Sequence, residues 1–267
     1  MSGVLASILE AKAREIEALR QSPTRARVPG GGRKNAAASL RRAPGQPLRL
    51  IAENKRRSPS AGALSTELST AERVVRYAEA GAAMVSVLCD GPFFDGSWDH
   101  VAVARRALQE AGHAIPVLAK EFVLDERQLA EAAACGADAA LLIARLVDRP
   151  RLRELVACAE DLGLEALVEV VTEDELDAAL CAGATIVGVN ARDLDTLEMN
   201  PERAARVLAA IPERCVAVHL SGVKGAEDVR RLAATRAHAA LVGEALMRAA
   251  DPRPLLASMT KAAAAQT

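Results

Sequence analysis

Four charged residues close or interrupt hydrophobic runs in a way that could move protons. Glu53 and Lys55 stand at the end of LRLIAE (48–53), Lys120 ends PVLAK (116–120), and Glu169 lies inside EALVEV (165–170). Leu167, Val168, Val170 and Val171 flank Glu169, and an unpaired carboxylate among such neighbours is costly, so the charge needs a partner or a task. Glu53 and Lys55 are two residues apart, which puts both on one face of an extended strand. Two ammonium groups and two carboxylates brought together hold one another ionised, while burial shifts the balance between acid and base. Such a cluster points to proton transfer on an anionic substrate. Taken singly, each residue also reads as a solvated strand-end side chain.

Further chemically capable residues follow other hydrophobic runs. Asn190 and Arg192 follow TIVGVN (185–190), and Ser221 and Gly222 follow CVAVHL (215–220). Gly243 ends AALVG (239–243) and precedes Glu244. Backbone N–H groups at Gly222 and Gly243, each before a helix start, would suit a phosphate dianion, although both also read as turn glycines. The segment KRRSPSAG (55–62) contains Ser58 and Pro59 and reads as a shaped loop; the alternatives are a solvated basic loop or a nuclear localisation patch.

Such residues can meet only if the runs that carry them are neighbouring strands. Eight short aliphatic runs occur: the six above, together with MVSVL (84–88) and AALLI (139–143). Helical segments lie between them, among them 70–81, 125–136, 172–183 and 226–235, several opening on Ser, Thr or Asp and closing on Gly. Strands apolar along their whole length and separated by helices are parallel and covered on both faces. Eight such units predict an α/β fold, a (β/α)₈ TIM barrel with an N-terminal helical extension, whose site residues gather at the C-terminal ends of the strands. A Rossmann-type sheet is the rival, but no G-x-G-x-x-G follows a first strand. Residues 3–20 predict an amphipathic helix, and 21–34, with Pro23, Pro29 and Gly30 to Gly32, a basic solvated connector. Residues 1–47 are therefore expected to pack on a single catalytic barrel spanning 48–267.

Composition narrows the partners. The 267 residues carry 34 Lys+Arg against 35 Asp+Glu, 51% hydrophobic residues, and only three Phe, one Tyr and one Trp. Few rings argue against a stacking surface for single-stranded nucleic acid, and a net charge of −1 argues against duplex binding. Five scattered cysteines without a C-x-x-C pair predict reduced thiols and no metal site. Charged residues interleave Leu5, Ile8, Ile16 and Leu19, which breaks any signal-peptide core, and no run is long enough to span a membrane. A cytoplasmic protein acting on small molecules is expected.

The motifs resemble the indole-3-glycerol phosphate synthase family of tryptophan biosynthesis. IAENKRRSPSAG (51–62) is similar to I-A-E-x-K-R-x-S-P-S-x-G, SVLCD with FFDGS (86–90, 93–97) to S-V-L-T-D with F-x-G-S, and PVLAKEF (116–122) to P-V-L-x-K-D-F. GADAALLIARL (136–146), ALVEV (166–170), VGVNARDLDTLEMN (187–200) and LVGEALM (241–247) continue in register. The resemblance implies a carboxy-lyase that closes 1-(2-carboxyphenylamino)-1-deoxyribulose 5-phosphate to indole-3-glycerol phosphate, with loss of carbon dioxide and water and no metal or organic cofactor. It implies Lys120 as general acid, Glu169 as second proton handler, and Glu53, Lys55 and Asn190 as further catalytic residues. Ser58, Pro59, Phe94, Phe122, Arg192, Leu194 and Ser221 would bind substrate, and Lys55, Gly222, Gly243 and Glu244 its phosphate. A monomer or weak homodimer open to contact with other tryptophan-pathway enzymes is implied.

Departures from that pattern are specific. Leu220 stands where the family has a Glu before Ser-Gly, Glu121 replaces the Asp after the catalytic lysine, and Asn54 takes an apolar position. RAHAALVG (236–243) lacks the usual Gly and Asp, and His219, next to Leu220, should face the outer helices by strand alternation. The exchange at Leu220 keeps open a relative with an altered substrate, or a slow or non-catalytic ligand-binding barrel.

Overall fold

Parallel pairing joins eight strands into a closed barrel in this computed structural model, which describes residues 4–21, 25, 26, 28, 35–59, 62–64, 67–193 and 196–264. The strands are β1 (Arg49–Asn54), β2 (Met84–Leu88), β3 (Val117–Lys120), β4 (Ala139–Ile143), β5 (Glu165–Val170), β6 (Ile186–Val189), β7 (Val216–His219) and β8 (Ala239–Val242). Each pairs with its sequence neighbours, and β1 closes the ring on β8 with Ile51 opposite Leu241. This is the (β/α)₈ architecture that the eight runs predict. Helices Thr70–Glu79, Glu126–Ala134, Glu173–Cys181 and Ala226–Ala233 occupy the expected intervals, and α1 (Val4–Gln21) precedes the barrel. Ser69 and Glu72 form a reciprocal cap at the first of these, as do Asp125 and Gln128 at the second.

Side-chain alternation divides the aliphatic residues into two layers. Ile51, Met84, Leu118, Leu141, Leu167, Ile186, Val218 and Leu241 fill the lumen, whereas Ala52, Val85, Ala119, Leu142, Val168, Val187 and Ala217 face the helices. Ala217 is two residues before His219, so that imidazole points to the helix layer as alternation requires. Asn54, expected to need a partner, is buried and donates from Nδ2 to Thr70 Oγ1 at 3.3 Å.

Segments before β1 close both ends of the lumen. Ala36–Leu40 forms a short helix whose Ala36 and Leu40 join the inner layer at the barrel floor, and Glu165 accepts from the N–H groups of Ala36 and Ala37. Ile8 of α1 joins the same layer from the opposite end, beside Phe122. Of the stretch read as a solvated connector, Arg25 pairs with Glu131 at 2.9 Å and with Asp99, a finding that pattern alone did not show. All five cysteines are free thiols.

Asp138 shows how a buried acid serves the barrel. It accepts from Val117 N at 2.9 Å and pairs with Arg105, whose Nε donates to Gly136 O at 2.8 Å. His238 does the same one hundred residues later without a carboxylate: its Nδ1 accepts from Ala217 N at 3.0 Å. Burial, with Arg236, Arg41 and Arg42 nearby, holds this imidazole's pKa down at about 4, so it is neutral and able to accept. The missing Asp of RAHAALVG is thus replaced in function. Arg105→Leu strands the buried Asp138 carboxylate and is expected to lower stability by about 3–5 kcal/mol in urea unfolding. A loss below about 1 kcal/mol would show that Asp138 needs no cation.

Candidate active site

Inward alternation at the C-terminal ends of β1, β3 and β5 brings Glu53, Lys120 and Glu169 to the barrel mouth. Glu53 is fully buried; Lys120 Nζ donates to its Oε2 at 2.9 Å, and Lys55 Nζ lies 2.8 Å from Oε1. A Cβ on Gly243 would stand 2.5 Å from Glu53 Oε1, so the close approach of β8 to this carboxylate requires glycine there. Tyr77, from the helix behind β1, donates to Glu53 O at 3.2 Å and steadies the strand end. The residue spacing that predicted a shared face for Glu53 and Lys55 therefore delivers an ion pair.

Burial alone would raise the Glu53 carboxyl, but Lys120 and then Lys55 outweigh it and hold the pKa at about 2. Burial opposes the Lys120 ammonium, yet Glu53, followed by Glu169, raises its pKa above that of an ordinary lysine. At Glu169 burial prevails, and the carboxyl lies above the usual range despite Lys120 and a hydrogen bond from Asn190. One mouth thus holds a permanent anion, a secured ammonium and a carboxyl disposed to carry a proton.

Asn190 Nδ2 donates to Glu169 Oε1 at 2.8 Å, while its Oδ1 accepts from Arg192 N at 3.0 Å, so both ends of the amide are committed. Arg192 Nη1 donates to Leu197 O at 2.9 Å. Ser221 Oγ accepts from Ala191 N at 3.1 Å, tying the loop after β7 to the one after β6. Gly222 adopts φ +86°, a left-handed conformation suited to glycine, and Gly243 leads into Glu244–Arg248, where Glu244 pairs with Arg248 at 2.9 Å.

A cavity of about 380 Å³ joins these groups. Ser58, Pro59, Phe94, Phe122, Arg192, Ser221, Gly222, Gly243 and Glu244 line it with Lys55, Lys120, Glu169 and Asn190; Leu194 lies outside the described residues. Phe94 and Phe122 form a tilted pair with ring centres 6.0 Å apart. Sequence reasoning missed Leu5 and Ile8 from α1, and also Ile143 and Lys224. The apolar face of α1 was legible, but nothing local says that it covers the mouth. Leu220 is buried in the inner layer, packed where a Cβ on Gly188 would be 2.5 Å from its Cδ1. Among the described residues no helix is long and apolar enough to cross a membrane.

Glu53 supplies stability that is present above its ordinary value of 4.5 and is lost as pH falls towards about 2. Urea melts of native protein and Glu53→Gln are expected to converge through that window, and a difference independent of pH would contradict the ion-pair assignment.

The family model described as indole-3-glycerol phosphate synthase matches residues 5–259. An indole-3-glycerol phosphate synthase of Chloroherpeton thalassium is 41% identical over 249 residues, 91% of this chain and 94% of that one. The relative named indole-3-glycerol phosphate synthase 2 in Streptomyces coelicolor is 44% identical over 94% of this chain and 96% of its own. Among solved structures, thiamine phosphate pyrophosphorylase from Pyrococcus furiosus aligns at a TM-score of 0.62 and 17% identity, covering 81% of this chain and 95% of that one. The 3-hexulose-6-phosphate synthase of Salmonella typhimurium aligns at 0.59 and 15%, covering 81% and 98%; these two share the fold alone.

Proposed function

The chain belongs to the indole-3-glycerol phosphate synthase family, and we propose how its barrel mouth performs that carboxy-lyase reaction of tryptophan biosynthesis. The substrate, 1-(2-carboxyphenylamino)-1-deoxyribulose 5-phosphate, closes to indole-3-glycerol phosphate with release of carbon dioxide and water. The observation that carries the assignment of roles is the buried Glu53 carboxylate held between Lys120 and Lys55.

Lys120 acts as general acid. Its raised pKa keeps it protonated, and it donates to the ketone oxygen as the arene carbon attacks the carbonyl carbon. Loss of carbon dioxide returns its bonding electrons to the ring. Departure of the new hydroxyl as water then needs a proton, which the raised carboxyl of Glu169 can supply, and Glu169 recovers one as the indole forms. Asn190 aims that carboxyl, and Glu53 remains ionised and keeps both ammonium groups in place. Lys55 and Arg192 hold the substrate's carboxylate and phosphate, fixing both ends so that the arene carbon stays against the ketone. Phosphate is received by Lys55 with the N–H groups of Gly222, Gly243 and Glu244, the Glu244 side chain being engaged by Arg248. Ser58, Pro59, Phe94 and Phe122 enclose the aromatic ring beside Ser221.

The protein works in the cytoplasm as a monomer or weak homodimer. Val103 and Met199 are the large hydrophobic residues exposed among those described, too few for an extensive obligate interface.

Lys120→Met is expected to lower kcat by about 10²–10⁴ in a fluorescence assay of indole formation, and retention of more than a tenth of the rate would assign the acid elsewhere. Leu220→Glu puts an acid into the cavity that the two lysines line and is expected to raise kcat. An unchanged rate would show that this scaffold does without it.

A further inference from the structure

Lys12 lies in α1, outside every role assigned above, and its side chain is wholly buried, which is rare for lysine. Its Nζ stands 2.6 Å from Glu15 Oε2, 2.7 Å from Asp90 Oδ1 and 2.9 Å from Glu121 Oε1. Glu15 belongs to α1 itself, whereas Asp90 follows β2 and Glu121 follows β3. Both of these barrel acids also grip backbone. Asp90 Oδ2 accepts from Phe93 N at 2.8 Å and Phe94 N at 3.1 Å, and Glu121 Oε1 accepts from Phe122 N at 2.8 Å. One ammonium is therefore linked through two carboxylates to the backbone of both rings that face each other in the pocket.

Helical spacing adds a second connection. Ile8 lies four residues before Lys12, on the same face of α1, and packs in the cluster that contains Phe93, Phe94 and Phe122. Apolar contacts of this kind could dock α1 without an ion cluster, and burying a lysine among acids costs desolvation that an apolar replacement avoids. What the charges add is a fixed geometry. The ammonium determines where α1 sits over the mouth and how Asp90 and Glu121 hold the two phenylalanines.

We propose that Lys12 is a positioning residue for the aromatic end of the substrate: through Asp90 and Glu121 it sets the Phe94–Phe122 wall and locks α1 against it, without touching the reacting atoms. This rests on the reading that the wall receives the substrate's ring. It also gives the Glu121 departure a meaning, since the longer acid reaches both Lys12 and the Phe122 N–H with one oxygen.

The test compares two inhibitors that probe opposite ends of the cavity during turnover: anthranilate for the ring end and inorganic phosphate for the other. Lys12→Met is expected to weaken anthranilate inhibition about tenfold or more and to leave phosphate inhibition within about twofold, because displacement of a binding wall acts locally. Since Lys12→Met strands buried carboxylates, Lys12→Met with Glu121→Gln, which removes one charge of each sign, is measured beside it with the same ring-selective loss expected. Equal weakening of both inhibitors, or unchanged anthranilate inhibition in the folded variants, overturns the role of Lys12. Phe122→Ala separates that failure from failure of the underlying reading. If Phe122→Ala leaves anthranilate inhibition unchanged, the wall does not receive the ring; if it weakens inhibition while both Lys12 variants do not, the Lys12 proposal alone is wrong.

Discussion

The rest of the mouth depends on one buried carboxylate that must stay ionised. Glu53 is buried out of reach of solvent, so Lys120 and Lys55 have to stand within 3 Å, and the position after β8 has to be glycine, Gly243, to leave room. Once that anion is secured, Lys120 is held protonated. Glu169, which has Lys120 as its cationic neighbour and Asn190 as its donor, is left with the raised pKa of a carboxyl in an apolar enclosure. Two carboxyls on opposite sides of the ring, four strands apart, thus acquire opposite characters because their cations are shared unequally.

The same economy governs the ends of the barrel. At the floor, Glu165 holds the short helix Ala36–Leu40 by its N-terminal N–H groups; at the mouth, Lys12 draws α1 onto Asp90 and Glu121. Elsewhere a side-chain acceptor ties successive strands, a buried Asp138 in one interval and a half-buried, neutral His238 in another. That exchange shows why a departure from a family motif need not be a loss. What the position requires is a hydrogen-bond acceptor for a strand N–H, and two different side chains provide it.

Leu220 differs from His238 in this respect. It supplies no polar group at all, and instead packs on Gly188 and Leu167 within the inner layer. The mouth is accordingly less acidic than the family motif implies, with Glu53 and Glu169 facing Lys55, Lys120 and Arg192. Glu53 is bound to both lysines, and this arrangement leaves the cationic side in excess, a favourable setting for a substrate that carries a carboxylate and a phosphate.

Local pattern was sufficient for the elements. Continuous aliphatic runs can only be strands buried on both faces, capping residues and glycines mark where helices start and stop, and a two-residue spacing puts Glu53 and Lys55 on one side of a strand. Those periodicities are properties of the chain itself, so the barrel and its strand-end charges were legible. Contacts between segments distant in sequence were not. That α1 reaches across the mouth, that Lys12 meets Asp90 and Glu121, that Arg25 spans Asp99 and Glu131, and that His238 takes an acid's place all depend on closure of the ring. The sequence by itself determined which residues could carry charge at the mouth; only the tertiary structure decided which charges share a partner, because a pKa is set by burial and by neighbours from other strands rather than by adjacent residues.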